Sequence, residues 1–195
     1  MMSSDQIDTK TRILDTTWNL LESGDKAVRM SDIAKAVGIS RQALYLHFAN
    51  RADLLVETAR YIDAEKDIDG RLAASRNATS GRERLRACCN AWAGYLPEIQ
   101  GVGRAFMAME HSDKDARAAW ADRMGALREG CAAAVAALSE DADLSVALSP
   151  AEATDVLWTL MSLRNWLQLT QQCGWTQSRY QEWLVDSAER LLLKS

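Results

Sequence analysis

Apolar side chains recur along this chain at intervals of three and four residues, the period of an α-helix. Residues 9–23 carry Ile13, Leu14, Thr17, Trp18, Leu20 and Leu21 as one stripe and form the first expected helix. Shorter helices follow at 31–37 and 41–48, and a longer one starts at Arg51, behind an Asn50 cap, and runs past Ile62 towards Leu72. After a polar break at 74–81, three helices are expected up to residue 139. The first carries Leu85, Cys88, Cys89, Trp92 and Leu96 and ends at Pro97, and the second spans 98–111. The third repeats Trp120, Met124, Leu127, Cys131, Val135 and Leu138. Ser149-Pro150 with Glu152 marks a new helix start, and the last two helices are expected at 150–173 and 177–194. Two prolines and ten glycines are too few to punctuate many strands and turns, so the chain is expected to be all-α.

The segment 24–53, GDKAVRMSDIAKAVGISRQALYLHFANRAD, carries the most chemistry. Ile33, Ala34 and Val37 share one face of a short helix, which Gly38 ends by taking a left-handed conformation. Ile39 plugs the turn and Ser40 stands where the next helix needs an N-cap. In that helix Leu44 and Phe48 point inward, while Arg41, Gln42 and Tyr45 fall on the opposite face. An ordinary packed hairpin has no use for Arg, Gln and Tyr converging outside. Such a face suits base edges and phosphates in a major groove, so a helix-turn-helix that binds DNA is expected.

The motif Asp32-Ile33-Ala34, Val37-Gly38-Ile39-Ser40, Leu44-Tyr45-Leu46-His47-Phe48, then Arg51 and Leu54, resembles the tetracycline-repressor (TetR) family of bacterial transcription regulators. The Leu-Tyr-x-His-Phe string behind an Ile-Ala-x-x-x-Gly turn is more specific than a bare helix-turn-helix. Two positions depart from the family pattern. Arg29 stands where members usually have Thr or Ser, and Asp25 where an aromatic residue is usual, which implies a looser loop there. Arg29 has no side-chain acceptor with which to cap a helix, but it can meet a phosphate directly. The resemblance implies a flexible arm at 1–8, a DNA-binding domain at 9–52 and a helical effector-binding and dimerisation domain at 53–195. Its implied DNA contacts are Arg29, Ser40, Arg41, Gln42, Tyr45, His47 and Arg51, the last two gripping the backbone. The implied partners are a palindromic double-stranded operator, a small-molecule effector and a second copy of the chain.

Charge sets a limit on this reading. The chain carries −4 overall, and residues 1–55 hold seven basic and seven acidic side chains. Between Lys35 and Arg51, however, there are three basic residues and no acid. Non-specific affinity follows the number of phosphates neutralised, so tight binding is expected to need two reading heads. The composition, 48% hydrophobic and 26% charged, is that of a folded chain rather than a disordered one. The polar start MMSSDQIDTK is no signal peptide, and no apolar run is long enough to span a membrane; the expected location is the cytoplasm.

The second half offers candidates for ligand sensing and pairing. Of the seven tryptophans and seven methionines, all but Trp18, Met1, Met2 and Met30 lie after residue 90. Trp92, Phe106, Met109, Trp120, Trp158, Met161 and Trp166, with Ser162 as a polar point, are the candidate lining of a mostly apolar effector pocket; core filling is the plainer use of each. Leu157, Leu160, Tyr180, Trp183, Leu184 and Leu191 are the candidate dimer seam of a four-helix interface. The four cysteines have no metal spacing, and no cofactor is expected. Two histidines, with no nucleophile–base set or phosphate loop, argue against an enzyme. A repressor released by an apolar effector is thus the leading expectation. The alternatives are a DNA-binding protein without a ligand, and a thiol-responsive regulator acting through Cys88 and Cys89.

Overall fold

The computed structural model describes residues 4–24 and 28–194, with side chains from Thr9 onward in the first helix. Most of the described residues are helical, and the extended pairing is a single antiparallel bridge between Leu144 and Leu193. The chain divides into two compact units, Met1–Lys66 with Ile99–Arg123, and Asp67–Glu98 with Met124–Ser195.

The first unit is built on α1 (Ser4–Glu22), α2 (Met30–Val37), α3 (Arg41–His47) and α4 (Arg51–Glu65). Because α1 starts at Ser4, the expected arm at 1–8 is helical in its second half, and residues 1–3 lie outside the described residues, as does Asp25. Local chemistry sets the boundaries. Gly38 ends α2 at φ 78°, its N–H and that of Ile39 returning to the Ala34 carbonyl. Ser40 Oγ accepts from the Ala43 N–H at 3.0 Å, and Asn50 Oδ1 from the Asp53 N–H at 2.9 Å. At the far end of α4, Asp67 takes φ 52° and its carboxylate accepts from the Gly70 N–H. The helix expected to reach Leu72 therefore stops at Glu65, and a separate turn, α5 (Ile68–Arg71), begins.

The core of this unit joins Ile13 and Leu21 of α1, Ile33 of α2, Leu44 of α3, Phe48, and Leu54, Leu55 and Ile62 of α4. It also takes in Val102, Phe106 and Met109 from the end of α7 (Gly81–Met109), and Ala116 and Ala119 from the start of α8 (Lys114–Glu140). The expected division at 52/53 falls inside this unit.

The second unit holds α5, α6 (Ala73–Arg76), the first part of α7, the last part of α8, α9 (Pro150–Leu160), α10 (Leu163–Leu167), a π-helical turn (Gln168–Gln172) and α11 (Gln177–Leu192). Leu85, Cys89, Leu96, Cys131, Leu138, Leu157, Tyr180, Leu184 and Leu192 are fully buried in the protein. At the helix start expected there, Ser149 and Glu152 form a capping box for α9.

Two expectations fail here for identifiable reasons. Pro97 does not end a helix: α7 runs through it, replacing the two helices expected at 82–97 and 98–111. A proline inside a helix leaves the carbonyl four residues earlier without its amide. That carbonyl belongs to Ala93, which is fully buried, and Gln177 Nε2 donates to it at 2.7 Å. The side chain of α11 thus replaces the lost backbone bond. Conversely, the helix expected at 150–173 is broken, because Ser162 is extended and its Oγ caps α10 through the Arg164 N–H. Side chains meet the carbonyls released by the break: Trp92 Nε1 donates to Met161 O and Asn165 Nδ2 to Thr159 O.

If Gln177 substitutes for the missing amide, Gln177→Leu strands a buried carbonyl and lowers stability by about 1–3 kcal/mol. In a Pro97→Ala background, where the amide returns, the same change costs measurably less. Urea unfolding of the four proteins of this cycle checks it, and equal costs in both backgrounds contradict the pairing.

Candidate nucleic-acid interface

Helix α3 presents two faces of opposite character. Leu44 is fully buried and Phe48 nearly so, while Arg41, Gln42 and Tyr45 are exposed. The outer face has two ridges at i, i+4 spacing: Arg41 with Tyr45, and Gln42 with Leu46. The Arg41 guanidinium lies over the Tyr45 ring, 6.0 Å from its centroid, which aligns both along one ridge. Ser40 is exposed at the start of the helix, its oxygen engaged as the cap and its hydroxyl hydrogen left for an outside acceptor. Arg29 is exposed ahead of α2 and makes no side-chain cap there, as its chemistry requires. His47 is half-buried at the last position of α3.

Arg51 does not join this surface. Its side chain is only 14% exposed, with Nη1 2.8 Å from Asp113 and 3.5 Å from Asp115, and Nε donates to the Val28 carbonyl. In place of the expected phosphate contact, the side chain forms an internal clamp, its guanidinium shared between two carboxylates. Asp113 is also the cap of α8, accepting from the N–H groups of Asp115 and Ala116. Partial burial pushes the Asp113 carboxyl up, but the Arg51 hydrogen bond and charge and the two backbone donors prevail and hold it below its ordinary range. Lys10, at the back of the domain, is paired with Glu57 and lies over the Phe48 ring. Arg12 donates to the Val37 carbonyl at the end of α2. Arg29, Lys35 and Arg41 are the exposed cations of the motif that carry no ion pair among the described residues.

The other candidate residues are distributed by packing. Phe106 and Met109 are buried in the first unit's core, with Trp120 packed against it. Their surface is spent behind the helix-turn-helix, which removes them from any pocket within the second unit. Trp92, Met161 and Trp166 are buried in the second unit and Trp158 and Ser162 are half-buried there. The Trp166 indole N–H is taken by Gln177 Oε1 at 2.8 Å. Among the seam candidates, Leu157, Tyr180 and Leu184 are fully buried within the protomer and are corrected to core residues; Leu160 and Trp183 are half-buried and Leu191 is 50% exposed. Trp183 packs on Tyr180 and Trp175 of its own chain. Burial raises the Cys88 thiol to about 11 and pushes Cys89 and Cys131 up as well, so these thiols stay protonated, contrary to what a thiol sensor requires.

Sequence reasoning missed Asp113 and Asp115, because nothing in spacing links residues 62 and 64 positions from Arg51. It also passed over Leu46, whose signal was available: it lies one helical turn beyond Gln42.

Residues 13–58 match the family model described as bacterial regulatory proteins, tetR family. The chain carries a TetR-family helix-turn-helix domain. Solved structures share the fold over almost the whole length. A protein from Saccharomonospora viridis, described as a transcriptional regulator in complex with choline, is 21% identical with a TM-score of 0.72, covering 96% of this chain and 99% of its own. A TetR-family regulator from a Rhodococcus species is 18% identical with a TM-score of 0.74, covering 94% and 98%. NalD of Pseudomonas aeruginosa, the secondary repressor of the MexAB-OprM multidrug efflux pump, is 21% identical with a TM-score of 0.69, covering 99% and 100%. No curated protein matches the chain in sequence. No helix among the described residues is long and apolar enough to cross a membrane.

Removing the clamp with Arg51→Ala is expected to cost about 1.5–3 kcal/mol, the range for hydrogen bonds to charged groups. The Asp113 share has a defined pH window. Its folded carboxyl titrates below the ordinary value of 3.8, so the stabilisation is full above that value and fades as pH falls through the lower, folded one. Unfolding curves of the parent and Asp113→Asn should therefore differ at pH 7 and converge in strong acid. On any duplex the protein binds, Arg51→Ala leaves the salt slope unchanged; a loss of about one unit would put Arg51 on a phosphate instead.

Proposed function

We propose that the protein is a homodimeric DNA-binding transcription regulator, a repressor that a small, largely apolar effector releases from a palindromic operator. One observation carries the reading: Arg41, Gln42 and Tyr45 stand exposed on a helix whose opposite face, Leu44 and the adjoining Phe48, is buried. Arginine pairs with guanine and glutamine with adenine through two hydrogen bonds each, and tyrosine and serine hydroxyls reach phosphates. Arg29, Lys35 and Arg41 supply few phosphate contacts per head. Two heads are therefore needed, set near one DNA turn apart, roughly 34–36 Å, or a multiple of it. Such a regulator works where the DNA is, in the cytoplasm.

For the effector, Trp92, Trp158, Met161, Ser162 and Trp166 remain as a candidate lining within the second unit. The choline held by the Saccharomonospora protein gives a concrete probe, since tryptophan faces attract quaternary ammonium groups. For the dimer, the exposed Leu191 with the half-buried Leu160 and Trp183 replaces the fully buried residues as the seam.

Selection of duplexes from a random pool with the full-length protein tests the core of this reading. A palindromic site should emerge, and Arg41→Ala or Gln42→Ala should each cost about 1–3 kcal/mol on it while changing random DNA far less. Equal losses on both would remove base readout. Light scattering tests the dimer: Leu191→Glu should give folded monomers with weak operator binding, whereas Leu184→Glu should unfold the chain. A monomer that binds the full site as tightly as the parent contradicts the two-head mechanism.

A further inference from the structure

Leu46 is 83% exposed on the outer side of α3, beside the 43% exposed Tyr45. Its position is not explained by folding, since a side chain so open to solvent contributes almost no burial and any helix former would serve the helix as well. It lies on the same ridge as Gln42, one turn further on, with the two side chains about 5–6 Å apart at their Cβ atoms. We propose that Leu46 is a specificity-determining residue that packs against the 5-methyl group of a thymine, one or two base pairs from the base met by Gln42. This rests on the DNA-binding reading of α3.

The chemistry of the groove selects the partner. Base edges in the major groove display nitrogen and oxygen donors and acceptors, and the thymine methyl is the apolar group among them. A leucine set against guanine N7 and O6, or against a cytosine amino group, would strip water from a polar atom and return no hydrogen bond. Against a thymine methyl it removes two apolar surfaces from water at once. Base pairs rise by about 3.4 Å, so side chains one helical turn apart reach pairs one or two steps apart. Gln42 and Leu46 then act together: the amide matches an adenine edge, and the isobutyl group covers a thymine nearby. The ridge of Arg41 and Tyr45 runs alongside as the hydrogen-bonding half of the same surface.

The test uses the full-length protein and its selected duplex, with single thymines of one half-site replaced by deoxyuridine, which deletes only the methyl. One position should weaken the parent about three- to fivefold, the value of one buried methyl. Leu46→Ala should bind the thymine duplex weaker by a similar factor and no longer distinguish thymine from uracil there. Its exposure means that the variant keeps its fold, and the deoxyuridine series on the parent stands even without it. Indifference of the parent to every substitution, or equal losses in parent and variant, overturns the proposal. So does a change of oligomeric state in Leu46→Ala without any methyl effect, which would give the side chain to a protein contact. Failure to enrich any duplex at all overturns the DNA-binding reading itself, and is recognised before a deoxyuridine is placed.

Discussion

Helix α3 has seven residues, far short of the length at which an isolated helix is stable in water. It exists because its inner side is buried: Leu44 is wholly enclosed and Phe48 follows directly at its C-terminus. Each such side chain supplies about 1.5–3 kcal/mol on leaving water. That burial fixes the rotation of α3 about its axis, and the rotation determines which side chains look outward. Arg41, Gln42, Tyr45 and Leu46 are available to a ligand because Leu44 and Phe48 are not. The caps at Ser40 and Asn50 set where the short helix begins and where the next one takes over.

A second constraint concerns charge. Residues 1–55 are neutral as a whole, and several of their cations are occupied by the fold itself. Arg51 is held by Asp113 and Asp115, Lys10 by Glu57, and Arg12 reaches the α2 carboxyl end. A surface with few remaining cations attracts phosphates weakly, which is why the proposed function relies on hydrogen bonds and apolar contact at base edges and on a second head. The Arg51 clamp also joins the start of α4 to the start of α8, tying the helix that follows α3 to an element more than sixty residues later in the chain. Helix α3 is therefore positioned from two directions, by the core beneath it and by an ion pair just beyond it.

Local signals were the legible part of the sequence. Gly38, Ser40, Asn50 and the Ser149–Glu152 box each announce a helix boundary through a bond made within a few residues, and each makes that bond. The inward and outward faces of α3 follow from helical period alone. What the sequence hid depends on residues far apart. Pro97 reads as a helix end until Gln177, eighty positions later, is found bonded to the Ala93 carbonyl. Arg51 reads as a phosphate ligand until its acidic partners are known. Phe106 and Met109 look like pocket lining, yet they fill the core behind the helix-turn-helix. Tyr180 and Leu184 look like a seam, but both are consumed inside the protomer, while Leu191 of the same helix stays half exposed. Periodicity identifies an apolar face and is silent on what covers it.

The most direct test of the account is a crystal structure of the protein with its selected duplex. In that complex α3 should lie in the major groove, with Arg41 and Gln42 at base edges, Tyr45 and Ser40 at the backbone, and Arg51 still bound to Asp113. A duplex lying against another surface, with the outer face of α3 left in solvent, would contradict it.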